Sequence, residues 1–560
     1  MEQGRSDSPE NLAGCQRMIR ELKELVKQQQ ATIERYHEQL ERATEQITLL
    51  KKALFSPRRE RFAPDPNQGH LFTPAPLPAA AGEEQAEPES EESADKEPPP
   101  ARDRALKRHR KRIVFPQFLP RKRRDYPLPP EERPCGHCGV DRVVIQTRVT
   151  EQLEMEPPQA YIVEHVRYTY ACPACREGDQ VVTTQKPPQA VQKSPFGASV
   201  LAWLVVAKFA RHLPVYRHQE ILLGPVKLWL SRPLLCGLLR ETAEALRPLE
   251  ARVRESVLAS ALLQADETPV RFLGKVVGRA ALGYLWAYAG DDQHPYVFYD
   301  FQPHRSRDGP EKILPTYQGY LQSDGYAVYT SLVRDSNGRL RDVACWAHGR
   351  RGLDEARYTT SHPLLHEALA WIQQLYDLED RTRDLSPDER LTVRRRESAP
   401  LLERMRGRFL EVRPELRPTS KLAEAIDYFM NRWQAFSRFL EDGRIPLDTN
   451  LVERLLRPVA VGRKGYLFFG SQNGGRTAAT LYSIVQSARR NNVDVLPYLT
   501  DVLQEIPAIA PDDTGTLNHL LPDRWAQAHP EHVLAERIEE SREALARRRH
   551  RRAARRLAAG

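Results

Sequence analysis

Residues 64–104 cannot contribute to a folded core, and that divides the chain before any other feature is considered. The stretch contains PAPLPAAAGEEQAEPESEESADKEPPPARD and almost no large apolar side chain. Burial there cannot offset the entropy of ordering the backbone, so the sequence predicts a disordered acidic linker. The segments on its two sides must fold separately. At 560 residues the chain also exceeds what one hydrophobic core holds.

Before the linker, Ile19, Val26, Ile33, Leu40, Ile47 and Leu54 recur every seven residues, with Leu22, Gln29, Tyr36, Ala43 and Leu50 between them. Spacings of three and four, filled by Glu, Lys, Arg and Gln, predict a leucine-zipper coiled coil over 15–56. β-branched residues in the first set favour a parallel homodimer, and Gln29 restricts its register. A lone amphipathic helix is the alternative, but no folded segment comes directly after it to receive it.

After the linker the charge reverses. Arg102 to Arg112 and Arg121 to Arg124 are basic clusters suited to DNA phosphates or to loose pairing with the acidic linker. Over the whole chain 84 Lys and Arg face 75 acidic residues, a net +9 and a mild sign of a polyanionic partner. The N-terminus, MEQGRSDSPENL, has no charged-then-apolar export pattern, so the seven cysteines are expected to stay reduced. Cys135-Gly-His-Cys138 and Cys172-Pro-Ala-Cys175, separated by β-rich sequence, then read as four thiolates around one structural zinc ion, a ribbon within 105–190. His137 and His165 are the alternative donors. No apolar run reaches the roughly 18 residues a membrane helix needs. A cytoplasmic, nucleoid-associated protein is expected.

Residues 194–256 read as helix, with a break at Gly224-Pro225 and Ser231 as the cap of a second helix, which is a possible helix-turn-helix or an ordinary helical hairpin. Over 257–344 the texture changes to short β-branched and aromatic strands: SALLQADETPVRFLG, GYLWAYAG, PYVFYDF and TYQGYLQS. Residues 345–445 are almost wholly helical and 446–505 return to the core. The fold class expected is multidomain α+β, its core interrupted by an all-α insertion. Residues 506–560 are proline-broken and end in a basic tail.

Cleaving a phosphodiester without a covalent intermediate calls for two hard cations held by carboxylates on rigid elements. Asp266 closes the apolar run LLQA, Asp324 closes YLQS, and Glu453 lies in Asn450-Leu-Val-Glu-Arg-Leu-Leu-Arg, a helical turn with Asn450 as a plausible cap. Arg454 and Arg457 come after it, suited to phosphates. By position alone Glu267, Asp300, Asp308 and Asp448 stay open as alternatives. Cys345-Trp-Ala-His348-Gly-Arg350-Arg351 has too few ligands for a structural zinc site. It reads as a packed Trp346 followed by His348, Arg350 and Arg351 near DNA or the reacting centre, or as a buried helix start with solvated arginines. The glycine-rich stretch with Arg463, Lys464 and Arg476 offers amides and cations to phosphate, but lacks the Gly-Lys-Ser/Thr ending of a nucleotide-binding loop.

Taken in order, the zipper, HVRYTYACPAC, AKFARHLPVYRHQEI, QADETPV, GYLWAY, SDGYAVY, CWAHGRRGLDEA and NLVERLLRPVAVGRKGYLFFGSQNGGRTAATLYSIVQSARRNNVDVLPYL resemble transposases of the insertion-sequence sixty-six family. The resemblance covers roughly residues 15–505. It implies a ribonuclease-H-like DDE core whose metal carboxylates are Asp266, Asp324 and Glu453, holding two magnesium ions for which manganese can substitute. It implies cleavage at the inverted repeats that end a mobile element, strand transfer to target DNA, and small accessory proteins of the same element. This chain departs from the family pattern at Ser56, Thr449-Asn450 and Gly465, none of which removes a carboxylate. A DNA-binding regulator with a decayed core, or a metal-dependent nuclease that does not join, are the competing readings.

Overall fold

The computed structural model describes residues 12–55, 169–171, 181–183 and 188–547, apart from 193, 227–228, 275–279, 541 and 545. The predicted linker, the basic clusters around 102–124, Cys135, Cys138, Cys172, Cys175 and the end of the basic tail lie outside the described residues. The heptad stretch is one unbroken helix, α1 (Leu12–Phe55). Its seam is not buried within this chain, for Ile19, Leu22, Val26, Ile33 and Tyr36 are all exposed. Strands β1 (Thr169–Ala171) and β2 (Val181–Thr183) pair antiparallel, with Tyr170 opposite Val182, on either side of the second Cys-x-x-Cys in the sequence.

Four helices come next: α2 (Ala198–Val205), α3 (Val215–Val226), α4 (Arg232–Ala245) and α5 (Arg247–Leu258). Ser231 caps α4 as the sequence predicts, its Oγ accepting from the Leu234 N–H. The break expected at Gly224-Pro225 does not occur there. Both residues sit in the last turn of α3, where the proline gives up one ladder N–H just before the helix ends. Leu201, Leu204, Leu235, Leu239, Leu249 and Val253 join the cluster that also holds the sheet. The helices are therefore part of the core, not a free-standing helix-turn-helix.

The sheet has strands β3 (Leu262–Leu273), β4 (Ala280–Ala289), β5 (Val297–Gln302), β6 (Gly319–Ser323) and β7 (Leu340–Ala344), in the order β5-β4-β3-β6-β7. The first three form an antiparallel meander, while β6 and β7 run parallel to β3. Short helices α6 (Asp308–Ile313) and α7 (Ala327–Arg334) connect β5, β6 and β7 in turn. Leu285 to Ala289 of β4 are all fully buried, the mark of a strand covered on both faces.

The insertion comprises α8 (Trp346–Ala356), α9 (Pro363–Thr382), α10 (Pro387–Val393), α11 (Ala399–Val412), α12 (Lys421–Asn431) and α13 (Trp433–Ser437). It has its own core of Leu353, Leu365, Ile372, Phe409 and Phe429, joined to the sheet through Val343 and Ala344 of β7. Trp346 is buried against Phe429, Phe436 and Phe439, the packing role expected of it.

The chain then returns as α14 (Asn450–Tyr466), α15 (Gln472–Arg490) and α16 (Val495–Glu505). Residues 477–488 of α15 are all buried, and Ser483 and Ser487 accept the edge N–H groups of Tyr299 and Val297 on β5. Helices α17 (Thr514–His519) and α18 (Pro522–Ala528) correct the expectation of a tail from residue 506. Leu517, Leu520, Leu521 and Trp525 are buried in the main core, and Tyr498 Oη donates to the Leu520 carbonyl at 2.8 Å. Among the described residues no helix is long and apolar enough to cross a membrane.

Candidate active site

The site begins with register. β3 and β6 pair in parallel as Leu262–Tyr320, Leu263–Leu321 and Gln264–Gln322, and the pairing stops there. Asp266 and Asp324 each lie two residues beyond that last pair. Because side chains two apart share a face of a strand, both aspartates extend the face that carries the glutamines. The sequence predicted that the strand would end at Asp266; instead β3 continues to Leu273, paired with β4 throughout. β6 does end at Ser323, leaving Asp324 where the chain emerges.

The two glutamines then fix the third carboxylate. Gln264 Nε2 donates to Gln322 Oε1 at 2.8 Å and to the Asp448 carbonyl at 2.9 Å, while Gln264 Oε1 accepts from the Val452 N–H at 3.2 Å. Gln322 Nε2 donates to the Pro446 carbonyl at 2.8 Å. Val452 lies in the first turn of α14, one of the N–H groups a helix start leaves without a partner. Asp448 Oδ1 accepts the Asn450 N–H at 3.1 Å; the cap position is Thr449, and Asn450, expected as the cap, is the first helical residue. Glu453 is the next residue after Val452. The N-terminus of α8 is tied to the same segment: Cys345 Sγ lies 3.2 Å from Thr449 Oγ1, and the Trp346 N–H donates to the Leu447 carbonyl at 2.9 Å. That contact brings His348 Nε2 to 4.0 Å from Glu453 Oε1.

The insertion also reaches the second aspartate. Tyr428 Oη of α12 donates to the Asp324 carbonyl at 2.7 Å, and Arg432, paired with Asp342 of β7, lies across Gly325. Gly325 has φ +91° and a Cβ there would run into the Arg432 guanidinium, so glycine is required twice over.

Charge is crowded at this point. Burial, then the neighbouring Glu267 carboxylate, then Asp324 and Glu453 push the Asp266 carboxyl up to about 7, against the single Glu267 N–H it accepts at 2.8 Å. Asp324 and Glu453 are near enough to add to that rise, as its two smallest causes. Burial, followed by the charge of Arg351, lowers the pKa of His348, and Glu453 and Asp324 act the other way. Among the described residues no group of three or more His, Cys, Asp or Glu side chains stands close enough together to hold a metal ion as the side chains are placed.

Residues 193–477 match the family model described as the transposase IS66 family, just over half the chain. The chain belongs to the IS66 transposase family. Residues 132–176 match the zinc-finger binding domain of transposase IS66, a span containing all four knuckle cysteines, and residues 42–124 match a model described as transposase C of IS166 homeodomain. Sinorhizobium fredii has similar proteins. The uncharacterized protein y4jD is 32% identical over 421 residues, 73% of this chain and 81% of its own length. The uncharacterized protein y4qI is 32% identical over 386 residues, 67% of this chain and 71% of its own.

In this transposase, the remaining residues singled out by sequence divide into near and far. Arg350 and Arg351 stand on α8 with His348, and Arg454 and Arg457 are exposed on α14 beside Glu453. Arg463 lies further along α14 and turns onto β3, donating to Thr268 Oγ1 at 3.0 Å and to the Pro269 carbonyl. Lys464 is exposed beside it, and Arg476 is exposed on α15, bonded to Asn473. Of the alternative acids, Glu267 takes the opposite face of β3, where Arg305 and Tyr329 hold it. Asp300 lies on β5 two strands away, and Asp308 starts α6. The sequence reading missed Gln264, Gln322, Tyr428 and Arg432. The glutamines had a signal: Gln-Ala-Asp and Gln-Ser-Asp repeat one pattern at the ends of two apolar runs.

Proposed function

We propose that this transposase holds two magnesium ions at Asp266, Asp324 and Glu453 on a ribonuclease-H-like core, cuts DNA at the terminal repeats of its element and joins the freed ends to target DNA. One observation carries the reading: two aspartates each lie two residues beyond the last pair of adjacent parallel strands, and those strands' own glutamines hold the chain that leads into the helix turn bearing the glutamate. A meander of three strands with two further strands parallel to its central member agrees with a ribonuclease-H-like sheet.

The donors suit a hard cation. All three are carboxylates, and burial first and neighbouring carboxylates next raise the Asp266 carboxyl to about 7. Two divalent ions, magnesium or manganese, would there activate the attacking oxygen and stabilise the leaving one. The chain's own contribution is positioning. The glutamine pair fixes the spacing of the carboxylates, Tyr428 fixes the Asp324 turn, and His348 stands beside Glu453. Arg350, Arg351, Arg454, Arg457 and Lys464 supply cations for the DNA backbone.

The four thiolates of Cys135, Cys138, Cys172 and Cys175 would close a tetrahedral shell around one structural zinc. The exposed seam of α1 supports a homodimer, and accessory proteins of the element and a place on nucleoid DNA in the cytoplasm complete the reading. The deciding test is Asp324→Asn in full-length protein. Cleavage of an element-end duplex should vanish while binding of that duplex persists; undiminished cleavage would remove Asp324 from the chemistry. Strand transfer of pre-cleaved ends by the wild type separates a joining enzyme from a nuclease that only cuts.

A further inference from the structure

Both elements that carry the carboxylates run on to the same place. α14 leads from Glu453 to Tyr466, about 20 Å at the helical rise, and β3 leads from Asp266 to Phe272, also about 20 Å. They meet there: the Phe469 N–H donates to the Arg271 carbonyl at 2.8 Å and the Leu273 N–H to the Phe469 carbonyl at 2.9 Å, with Phe272 and Phe469 bridged in parallel. Between α14 and this bridge lies Leu467, at φ 62° and ψ −46°, with the Phe468 N–H bonded to the Tyr466 carbonyl at 2.7 Å. That is a positive-φ γ-turn, a rare and strained conformation for leucine.

The strain sends large apolar side chains outward. Leu467 is 64% exposed and Phe468 43% exposed, whereas Phe469 turns inward against Phe301 and Tyr466. Alternation places Phe468 on the side of β3 that shows Arg271 and Leu273, and Leu282, directly opposite Arg271 on β4, is exposed there as well. The two stretches of chain that meet at the turn carry one sign of charge. No Asp or Glu occurs from Thr268 to Gly290 or from Arg454 to Val493, while Arg271, Arg463, Lys464 and Arg476 all do.

We propose that the Leu467–Phe468 turn is an apolar DNA contact, with Phe468 stacking on a nucleobase of the element end about six base pairs from the cleaved bond. The inference rests on DNA being the substrate of the carboxylate site. A strand leaving the carboxylates along β3 and α14 reaches the turn after about 20 Å, and each nucleotide advances about 3.4 Å. The basic residues of these two stretches fit a polyanion and would hold the backbone while the ring engages a base.

The test uses full-length protein and duplexes of the DNA bordering the element, with single 5-iododeoxyuridine substitutions stepped inward from the cleaved end. Irradiation should cross-link the peptide containing Leu467–Phe469 at one or two adjacent positions near the sixth. Phe468→Ala should abolish that cross-link and weaken binding by about tenfold or more, with an unchanged melting temperature because the ring is exposed, and Phe468→Trp should restore both. Wild-type binding by Phe468→Ala, or cross-links mapping only elsewhere, would overturn the proposal. So would a Phe468→Ala protein that loses self-association in gel filtration but not DNA affinity, which would assign the turn to a second copy of the chain. If wild-type protein still cuts the same duplex in those cases, the carboxylate site stands and only the stacking contact falls.

Discussion

Replacing Asp266 with asparagine should stabilise the metal-free protein while destroying its chemistry. In the folded chain the Asp266 carboxyl is raised from its ordinary 3.8 to about 7, by burial first and by neighbouring carboxylates next. A raised pKa means that the folded state binds the proton more tightly than the unfolded chain does. Stability associated with this group is therefore greatest below about pH 4, declines as pH rises from there to about 7, and is level above. At about 1.4 kcal/mol per unit, the full penalty at pH 8 is about 4 kcal/mol. Asparagine has no charge to bury, and its Oδ1 can still accept the Glu267 N–H that Asp266 accepts at 2.8 Å. In chelator at pH 8, Asp266→Asn should melt about 5 °C above wild type, taking an unfolding entropy of about 2.1 cal/mol/K per residue over the large described core. Near pH 4 the two proteins should melt together. Magnesium should raise the wild-type midpoint and leave the variant nearly unmoved, closing the gap. An Asp266→Asn protein that melts at or below wild type at pH 8 in chelator would refute the claim that Asp266 holds a buried, uncompensated charge.

Two further substitutions test how the site is assembled. Gln264→Leu leaves the Val452 N–H, Gln322 Oε1 and the Asp448 carbonyl without their partner, at about 1–3 kcal/mol for each buried group. Urea denaturation should show a loss of about 3 kcal/mol or more and cleavage should fall about 100-fold as Glu453 shifts, and a stable, fully active variant would dispose of the glutamine clamp. Gly325→Ala forces a side chain into a positive-φ position against Arg432, so a loss of about 1–3 kcal/mol and weakened cleavage are expected; wild-type values for both would show that the turn relaxes freely.

What could be read without coordinates tracked the strength of the local signal. The aromatic and β-branched runs of β4 and β5, the helices of 345–445 and the Ser231 cap were all legible, because periodicity and capping act over a few residues. β7 was not, since Arg341 and Asp342 interrupt a five-residue strand and no alternation survives. The end of β3 was misjudged because Asp266-Glu267-Thr-Pro looks like a turn; pairing with β4 carries the strand through it. The segment after residue 506 looked like a tail because proline and aspartate dominate it, yet four apolar side chains suffice to anchor it. The positions of the three carboxylates could be guessed from sequence. The tie between β3 and the start of α14 could not, because it depends on hydrogen bonds between residues more than 180 apart.

That separation poses the central structural problem of the chain, and the answer lies at the two points where the insertion leaves the core and rejoins it. Cys345 bonds Thr449 across 104 residues, Trp346 bonds Leu447, Gln322 bonds Pro446 and Gln264 bonds Asp448 and Val452. Exit and return are thus stapled side by side, so α14 starts in place whatever the insertion does internally, and the insertion's separate core is free to serve its own fold. It is still not a passenger. Tyr428 holds the Asp324 carbonyl and Arg432 bridges Gly325 to Asp342 on β7, so one aspartate of the site leans on α12. A shift of α12 would move Asp324 against Asp266 and Glu453, which the staples hold independently. The carboxylate geometry is therefore coupled to the insertion at two places, Asp324 through Tyr428 of α12 and Glu453 through His348 of α8, and a partner that docks on the helices can act on the chemistry through either.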